Sequence, residues 1–486
     1  MVVEGEKTLA AGEASEATPL LQKAAPIVSS QACHQHQLLL RCFLHLKETI
    51  SKTAGLFKTE YGHEIQSEVD PIIRQSMAEE RRWSIYVSRA LHRFSVWWTH
   101  LPADPELPDC ESSPLSEKPS GNQSSWTWTS DQLPPLDVLM VFHALTLHHK
   151  AFGEDCFRHK KMALWNEGFP LQLVSQYIVP DSLTYLCPES CKSHFESKTK
   201  LYWYNLDDPE TLSIECTRCL KQTVVPWTTR REMGFADSWF HQVCQSCKLI
   251  LGRDALIAQK LHRDLHLLVE KDIPLPGTCW NVENGHGTLT PNKTPNEFVK
   301  RYLMDMLLEE TRPTNLYPDI NKIIETLGRT VVKQALPILH DIFQHYRYVG
   351  NTSCNLRAAV KRVLKSASAV QDTNLPETDF DSPRMDARYI NFLRGQDKGS
   401  LFWGPDLSEI DLKDPTMWVW STHLLTPRSY SEFFQAVGNG LPMDWQPPHP
   451  SKCKLCHTLR PPSFARRFFQ GLVSLQTWKE FLESAA

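Results

Sequence analysis

Apolar residues along this chain recur mostly at three- and four-residue spacing, the period of helices that bury one face. Leu38, Leu39, Cys42, Phe43, Leu46 and Ile50 mark a first helix over about 37–56. A second runs from about Asp70 to Trp98, with Pro71 suited to its first turn and Ile73, Met77, Trp83, Tyr86, Val87, Ala90, Leu91 and Phe94 on its apolar face. Pro134 and Pro135 introduce LDVLMVFHALTLHHKAFGEDCFRH, which reads as one buried helix because apolar residues occupy most of its circumference. A short helix covers 169–178, and others cover about 254–270, 295–308, 320–346 (kinked near Pro337) and 354–368. The last third is helical apart from the Pro-rich stretch 442–450.

Between about 200 and 227 the period changes. LYWYNL and TVVPW are short runs of aromatic and β-branched residues and read as strands. The stretches 102–133 and 273–294 are rich in Pro, Ser, Gly and polar residues and read as loops. The expected fold is therefore α+β and mainly helical, with a small zinc-ribbon-like β module inserted between helical regions. The expected division is a disordered tail at 1–34, a helical domain at 35–199, the module at 200–252, a second helical region at 253–371, a linker at 372–384 and a C-terminal helical region at 385–486.

Two segments echo each other. VFHALTLHHKAFGED from Val141 aligns with VWSTHLLTPRSYSEF from Val419, an offset of 278 residues. RWSIYV at Arg82 similarly resembles RYINFL at Arg388, at an offset of 306. A duplicated helical unit is the expectation, against two unrelated amphipathic helices of similar composition.

The strongest chemical signal lies inside the module. In ECTRC and VCQSC, Cys216, Cys219, Cys244 and Cys247 form two C-x-x-C knuckles, with 24 residues between Cys219 and Cys244. Zinc takes four thiolates in a tetrahedron, and each knuckle supplies two from one tight turn. Such a shell is closed and implies structural zinc, against the alternative of four free thiols. A possible second metal set joins Cys187 and Cys191 to Cys453 and Cys456. His143 and His423, one from each echoed segment, are candidates to line a shared pocket, although a helical histidine is more often a packing residue. HRDLH at 262–266 contains the His-x-Asp element of a facial-triad iron site, but on a helix.

Composition sets bounds on function. With 52 basic and 56 acidic residues the net charge is -4, so nothing draws the chain as a whole to a phosphate backbone. The content of 41% hydrophobic and 22% charged residues is that of a globular chain. No basic-then-apolar leader opens the sequence and no run of 18 apolar residues occurs. The expected location is cytoplasmic, with the nucleus also open. P-loop, G-x-G-x-x-G and G-x-S-x-G elements are absent. The expectation is a non-enzymatic binding or scaffold protein with unknown protein partners. The alternatives are a metal-dependent oxygenase and nucleic-acid binding through the zinc ribbon, where Arg230 and Arg231 count for it and Glu232 and Asp237 against.

LPPLDVLMVFHALTLHHKAFGEDC resembles the signature of the glycine-rich-domain-containing-protein-like family, a fungal and plant domain of unknown function. WYNLDDPE, CTRC with the following PW, GFADSWFHQVCQSC, LPGT, SCNLRAAVKRVL and VWSTHLLTPRSY are similar to it as well, so the resemblance spans about 35–440. It implies the two-knuckle site and a helical domain, and no established activity. Members often carry Trp-His at the positions of Phe142 and His143, and Trp-His-Thr-His at 420–423. Ser421 counts against a His-pair metal site in the second segment, and the glycine-rich tail of the plant members is missing.

Overall fold

The computed structural model describes residues 27–59, 70–104, 126–283, 286–312, 342–371, 380, 382–395 and 414–437. Among these residues it is mainly helical, with four small antiparallel two-stranded sheets. Two long helices, α1 (Ser30–Lys52) and α2 (Pro71–His100), frame one side. Helix α1 begins earlier than its aliphatic pattern suggests, because Cys33 and His36 extend its buried face. Asp70 caps α2 by accepting from the Ile72 N–H at 2.8 Å.

The run expected as one helix over 136–159 is two, α3 (Leu136–Thr146) and α4 (His149–Arg158). No proline or glycine separates them. The His148 side chain makes the break. Its Nδ1–H donates to the Ala144 carbonyl at 2.7 Å, the acceptor its own backbone would use in a continuing helix. Its backbone N–H turns to the Leu145 carbonyl instead. Arg362 donates to Nε2, which fixes this tautomer.

Short helices α5 (Met162–Glu167) and α6 (Leu171–Ser175), the hairpin β1 (Ile178–Val179) with β2 (Thr184–Tyr185), and α7 (Glu189–Thr199) follow. LYWYNL, expected as a strand, is not one. The carbonyls a ladder would use are taken by two arginines of α2. Arg93 donates to Tyr202 and Trp203 O, and Arg89 to Asn205, Asp208 and Pro209 O. Arg93 also pairs with Asp137 of α3 at 2.7 Å and with Asp208, all three side chains being buried.

TVVPW does lie in a strand. The metal module consists of two hairpins, β3 (Thr211–Glu215) with β4 (Gln222–Pro226), and β5 (His241–Val243) with β6 (Ile250–Gly252). Helix α8 (Arg253–Lys271) leaves it directly. The stretch expected as a loop over 273–294 holds the hairpin β7 (Asn281–Glu283) with β8 (His286–Thr288). Then come α9 (Lys293–Phe298), a π-helical turn over Val299–Leu303, and α10 (Met304–Glu310). Most of the helix expected at 320–346 lies outside the described residues. Helices α11 (Leu356–Gln371), α12 (Pro383–Gly395), α13 (Pro415–Leu424) and α14 (Pro427–Val437) complete the described chain.

The main core runs from Val28 to Phe434 in sequence, so α11–α14 pack with α1–α6. A second cluster joins α8 to α9 and α10, and a third lies within the metal module and includes Ile85 of α2.

The echoed segments adopt one shape. Helices α3 and α13 end at 146 and 424, and α4 and α14 begin at 149 and 427, the same offset of 278. Phe152 N donates to His148 O, and Tyr430 N donates to Thr426 O, in register. Arg388 of α12 pairs with Asp414 at the start of α13, as Arg93 of α2 pairs with Asp137 at the start of α3.

Removing one partner of a buried ion pair strands the other charge, at about 3–5 kcal/mol. Asp137→Ala should cost about 3 kcal/mol in urea unfolding, the low end of that range, because Arg93 keeps Asp208 while the Asn205 amide that donates to the same Asp137 oxygen is freed. The paired Arg93→Met, Asp137→Leu exchange should cost more, because it also leaves the buried Asp208 carboxylate and the Tyr202 and Trp203 carbonyls without their donor. Equal stability of wild type and Asp137→Ala would contradict the role given to this contact.

Candidate metal centre

The two cysteine knuckles are built alike. Cys216 N donates to Lys221 O and Leu220 N back to Cys216 O. Cys244 N donates to Leu249 O and Lys248 N back to Cys244 O. Each turn puts its fifth residue in the left-handed region, Leu220 at φ 59° and Lys248 at φ 63°. Glycine is the usual residue there, and a side chain at such a position costs on the order of 1 kcal/mol. The double hydrogen bonding holds the conformation nonetheless.

The Sγ atoms of Cys216, Cys219, Cys244 and Cys247 lie within 4.8 Å of one another, the only group of three or more ligand atoms so close among the described residues. Cys216 and Cys247 are 3.5 Å apart, and Cys219 and Cys244 3.7 Å. Metal–sulfur bonds of about 2.3 Å in a tetrahedron place sulfurs about 3.8 Å apart, whereas a disulfide requires about 2.05 Å. The set therefore fits one tetrahedral ion. Burial raises the Cys216 thiol, while the Cys247 backbone N–H, donating to Cys244, lowers that one. N–H groups aimed at sulfur in this way favour thiolate.

One carboxylate organises the loop between the knuckles. Asp237 accepts from Thr228 Oγ1 and from the N–H groups of Thr229 and Gly234, all within 3.0 Å. Arg81 of α2 reaches Asp237 at 3.3 Å and Glu232 at 3.1 Å, which docks the module on that helix. A Cβ on Gly234 would stand 2.4 Å from Thr228 Cα, so only glycine fits.

The other expected sites come out differently. Cys187 lies beside Cys191, and Cys191 donates to the Ser130 carbonyl at 2.8 Å. Cys453 and Cys456 lie outside the described residues. His143 and His423 are both buried, with different partners. His143 Nε2 is 2.8 Å from His36 Nε2, and His36 Nδ1 is 3.0 Å from Thr422 Oγ1. His143 is thus tied to α1 rather than to α2. His423 bonds the Tyr389 hydroxyl at 2.9 Å. A cavity of about 20 Å³ is bordered by His36, Met417, Trp418 and Ser421, and neither His143 nor His423 lines it. The His-x-Asp element is split, because Asp264 turns inward to Arg158 and Tyr346, away from His262.

Sequence reading missed His36, the partner of His143. No local pattern distinguishes it, since its contacts lie 107 and 386 residues away. No family model, curated protein or solved structure matches this chain.

Two expectations follow. Cys216→Ser and Cys247→Ser should each lower bound metal below one equivalent and lower the melting temperature. Metal coupling is worth about 10–16 kcal/mol in small zinc peptides, and only part of that can appear in a module braced by α2. Unchanged melting and metal content in the double variant would refute the site.

The buried histidines give the protein an acid-labile core. Burial pulls His36, His148, His159 and His423 down to about 3, from 6.5. The unfolded chain therefore binds more protons below pH 6.5, and stability falls as pH drops through that value. Each such histidine contributes on the order of 1 kcal/mol per pH unit. The buried carboxyl pair of Glu154 and Asp155, raised by burial to about 7 and about 6 from 4.5 and 3.8, acts oppositely, losing stability as pH rises between those values. Four histidines outweigh it, so the urea midpoint should fall between pH 7 and 5.5. Metal content measured in parallel separates imidazole protonation from loss of the ion.

Proposed function

We propose that this protein is a non-enzymatic binding or scaffold protein whose central module is held by one structural zinc ion. The observation that carries this reading is the ligand set. Four cysteines fill all four tetrahedral positions and leave none for water or substrate. Such an ion stabilises and does not catalyse. The resemblance to the glycine-rich-domain-containing-protein-like family supports the same reading, because it implies the two-knuckle site and no assigned activity.

A groove of about 480 Å³ between α2 and the module is the surface best suited to a protein partner. Met77, Arg81, Ile85, Glu232, Ala236 and Asp237 are among its walls. Ile72, Ile73 and Met77 stand exposed on the first turns of α2, and Trp239, next to the groove residue Ser238, is 75% exposed. Apolar side chains clustered on the surface in this way mark interaction sites. No helix among the described residues is long and apolar enough to cross a membrane.

Cobalt replacement tests the closed shell. The purified chain should hold one zinc and no iron, and the Co²⁺ form should show strong tetrahedral absorption that azide or imidazole leaves unchanged. A spectrum that shifts on adding azide would reveal an open coordination position and overturn the non-enzymatic reading.

A further inference from the structure

His262 and His266 stand one turn apart on α8, their ring centroids 4.7 Å apart. Residues four apart on a helix share a face. A hydrogen bond settles which nitrogen of His262 is free, and a nearby carboxylate favours the same tautomer in His266. Thr311 Oγ1–H donates to the Leu307 carbonyl at 2.6 Å, so its proton is committed. Its oxygen can then only accept from His262 Nδ1–H, at 3.0 Å. His262 is therefore the Nδ1–H tautomer, with a bare lone pair on Nε2. His266 Nδ1 lies 3.4 Å from the Glu270 carboxylate, outside hydrogen-bond geometry but on the side that favours a proton on Nδ1. In the neutral ring with that tautomer, Nε2 is bare as well. Among the described residues neither Nε2 has a hydrogen-bond partner.

This is how metal-binding histidines are held. Nδ1–H is anchored by an oxygen, so the ring is oriented and Nε2 is presented to the ion. The rings are accessible as well: the His266 side chain is 47% exposed, and His262 is half-buried. Burial, and then the neighbouring His266, lower the affinity of His262 for a proton, which keeps it neutral and able to ligate.

We propose that His262 and His266 form a second metal site, open to solvent, that takes a divalent ion of the zinc, nickel and copper class through their Nε2 atoms. Imidazole suits these ions, whereas calcium and magnesium require oxygen ligands. Two protein ligands leave several positions to water, so an ion here can accept a further ligand from solvent or from a partner. In this it differs from the four-thiolate site. Glu270 and Thr311 are positioning residues that touch the rings and not the ion.

The test uses the full chain with its thiol site already filled with zinc, titrated calorimetrically with Ni²⁺. Wild type should bind one Ni²⁺, raising the melting temperature. His262→Ala and His266→Ala should each weaken that binding by about ten-fold or more, since one of two protein ligands is gone. Thr311→Val keeps both ligands, frees the His262 ring, and should weaken binding within the roughly 10–100-fold range of outer-shell losses. His241→Ala, an exposed histidine on the module, should change nothing. Circular dichroism confirms that the variants are folded, and zinc content reports the thiol site separately. No Ni²⁺ bound by wild type, or equal affinity in wild type and both ligand variants, would overturn the proposal.

Discussion

A guanidinium sealed from water must find anions and acceptors for all its N–H groups, and Arg93 sets the terms for much of this molecule. Its side chain is 1% exposed, and its partners come from two other segments. Asp137 fixes the start of α3. Asp208 and the carbonyls of Tyr202 and Trp203 fix the path of the chain into the metal module. Arg89, one turn earlier, takes the next carbonyls, and Arg81, two turns before that, holds the loop between the knuckles. One face of α2 thus positions helix, connector and metal site through guanidinium groups, whose fixed fork of five donors suits several acceptors at once.

This explains which features could be read from the sequence. The cysteine ligands and the start of α2 at Asp70–Pro71 depend on residues close in sequence, and local spacing reveals them. The break at His148 depends on a side chain displacing a backbone donor, which apolar periodicity does not register. LYWYNL has the composition of a strand, but its carbonyls are claimed by arginines more than 100 residues earlier. The same distance hides the imidazole pair, since nothing near His143 points to His36. His262 and His266 were visible as part of a His-x-Asp motif. Their shared face follows from the helix itself, but the threonine that sets the His262 tautomer, just past the end of α10, arrives only when α8 and α10 pack.

Several polar side chains stand in the interior. His36, His143, His148, His149 and His423 are all buried and neutral, and most are bonded to one another's elements: α1 to α3 and α13, α4 to α14, α12 to α13. Polar contacts of this kind are directional. They select one register between packed helices where aliphatic side chains alone would tolerate several. The two echoed helix–turn–helix segments are held together this way, with His149 of the first on Ser431 of the second at 2.8 Å.

That pairing of early and late segments has a consequence for biosynthesis. His36 and Thr422 are 386 residues apart. At translation rates of about 5–20 residues per second, α1 waits on the order of 20–80 s for α13 to leave the ribosome. During that interval the face of α1 that will meet α13, and the Nδ1 of His36 that will bond Thr422, have no native partner. The metal module needs only residues between 211 and 252 to close its knuckles. It can take up its ion while the rest of the chain is still emerging, giving α2 a folded body to lean on before the main core exists.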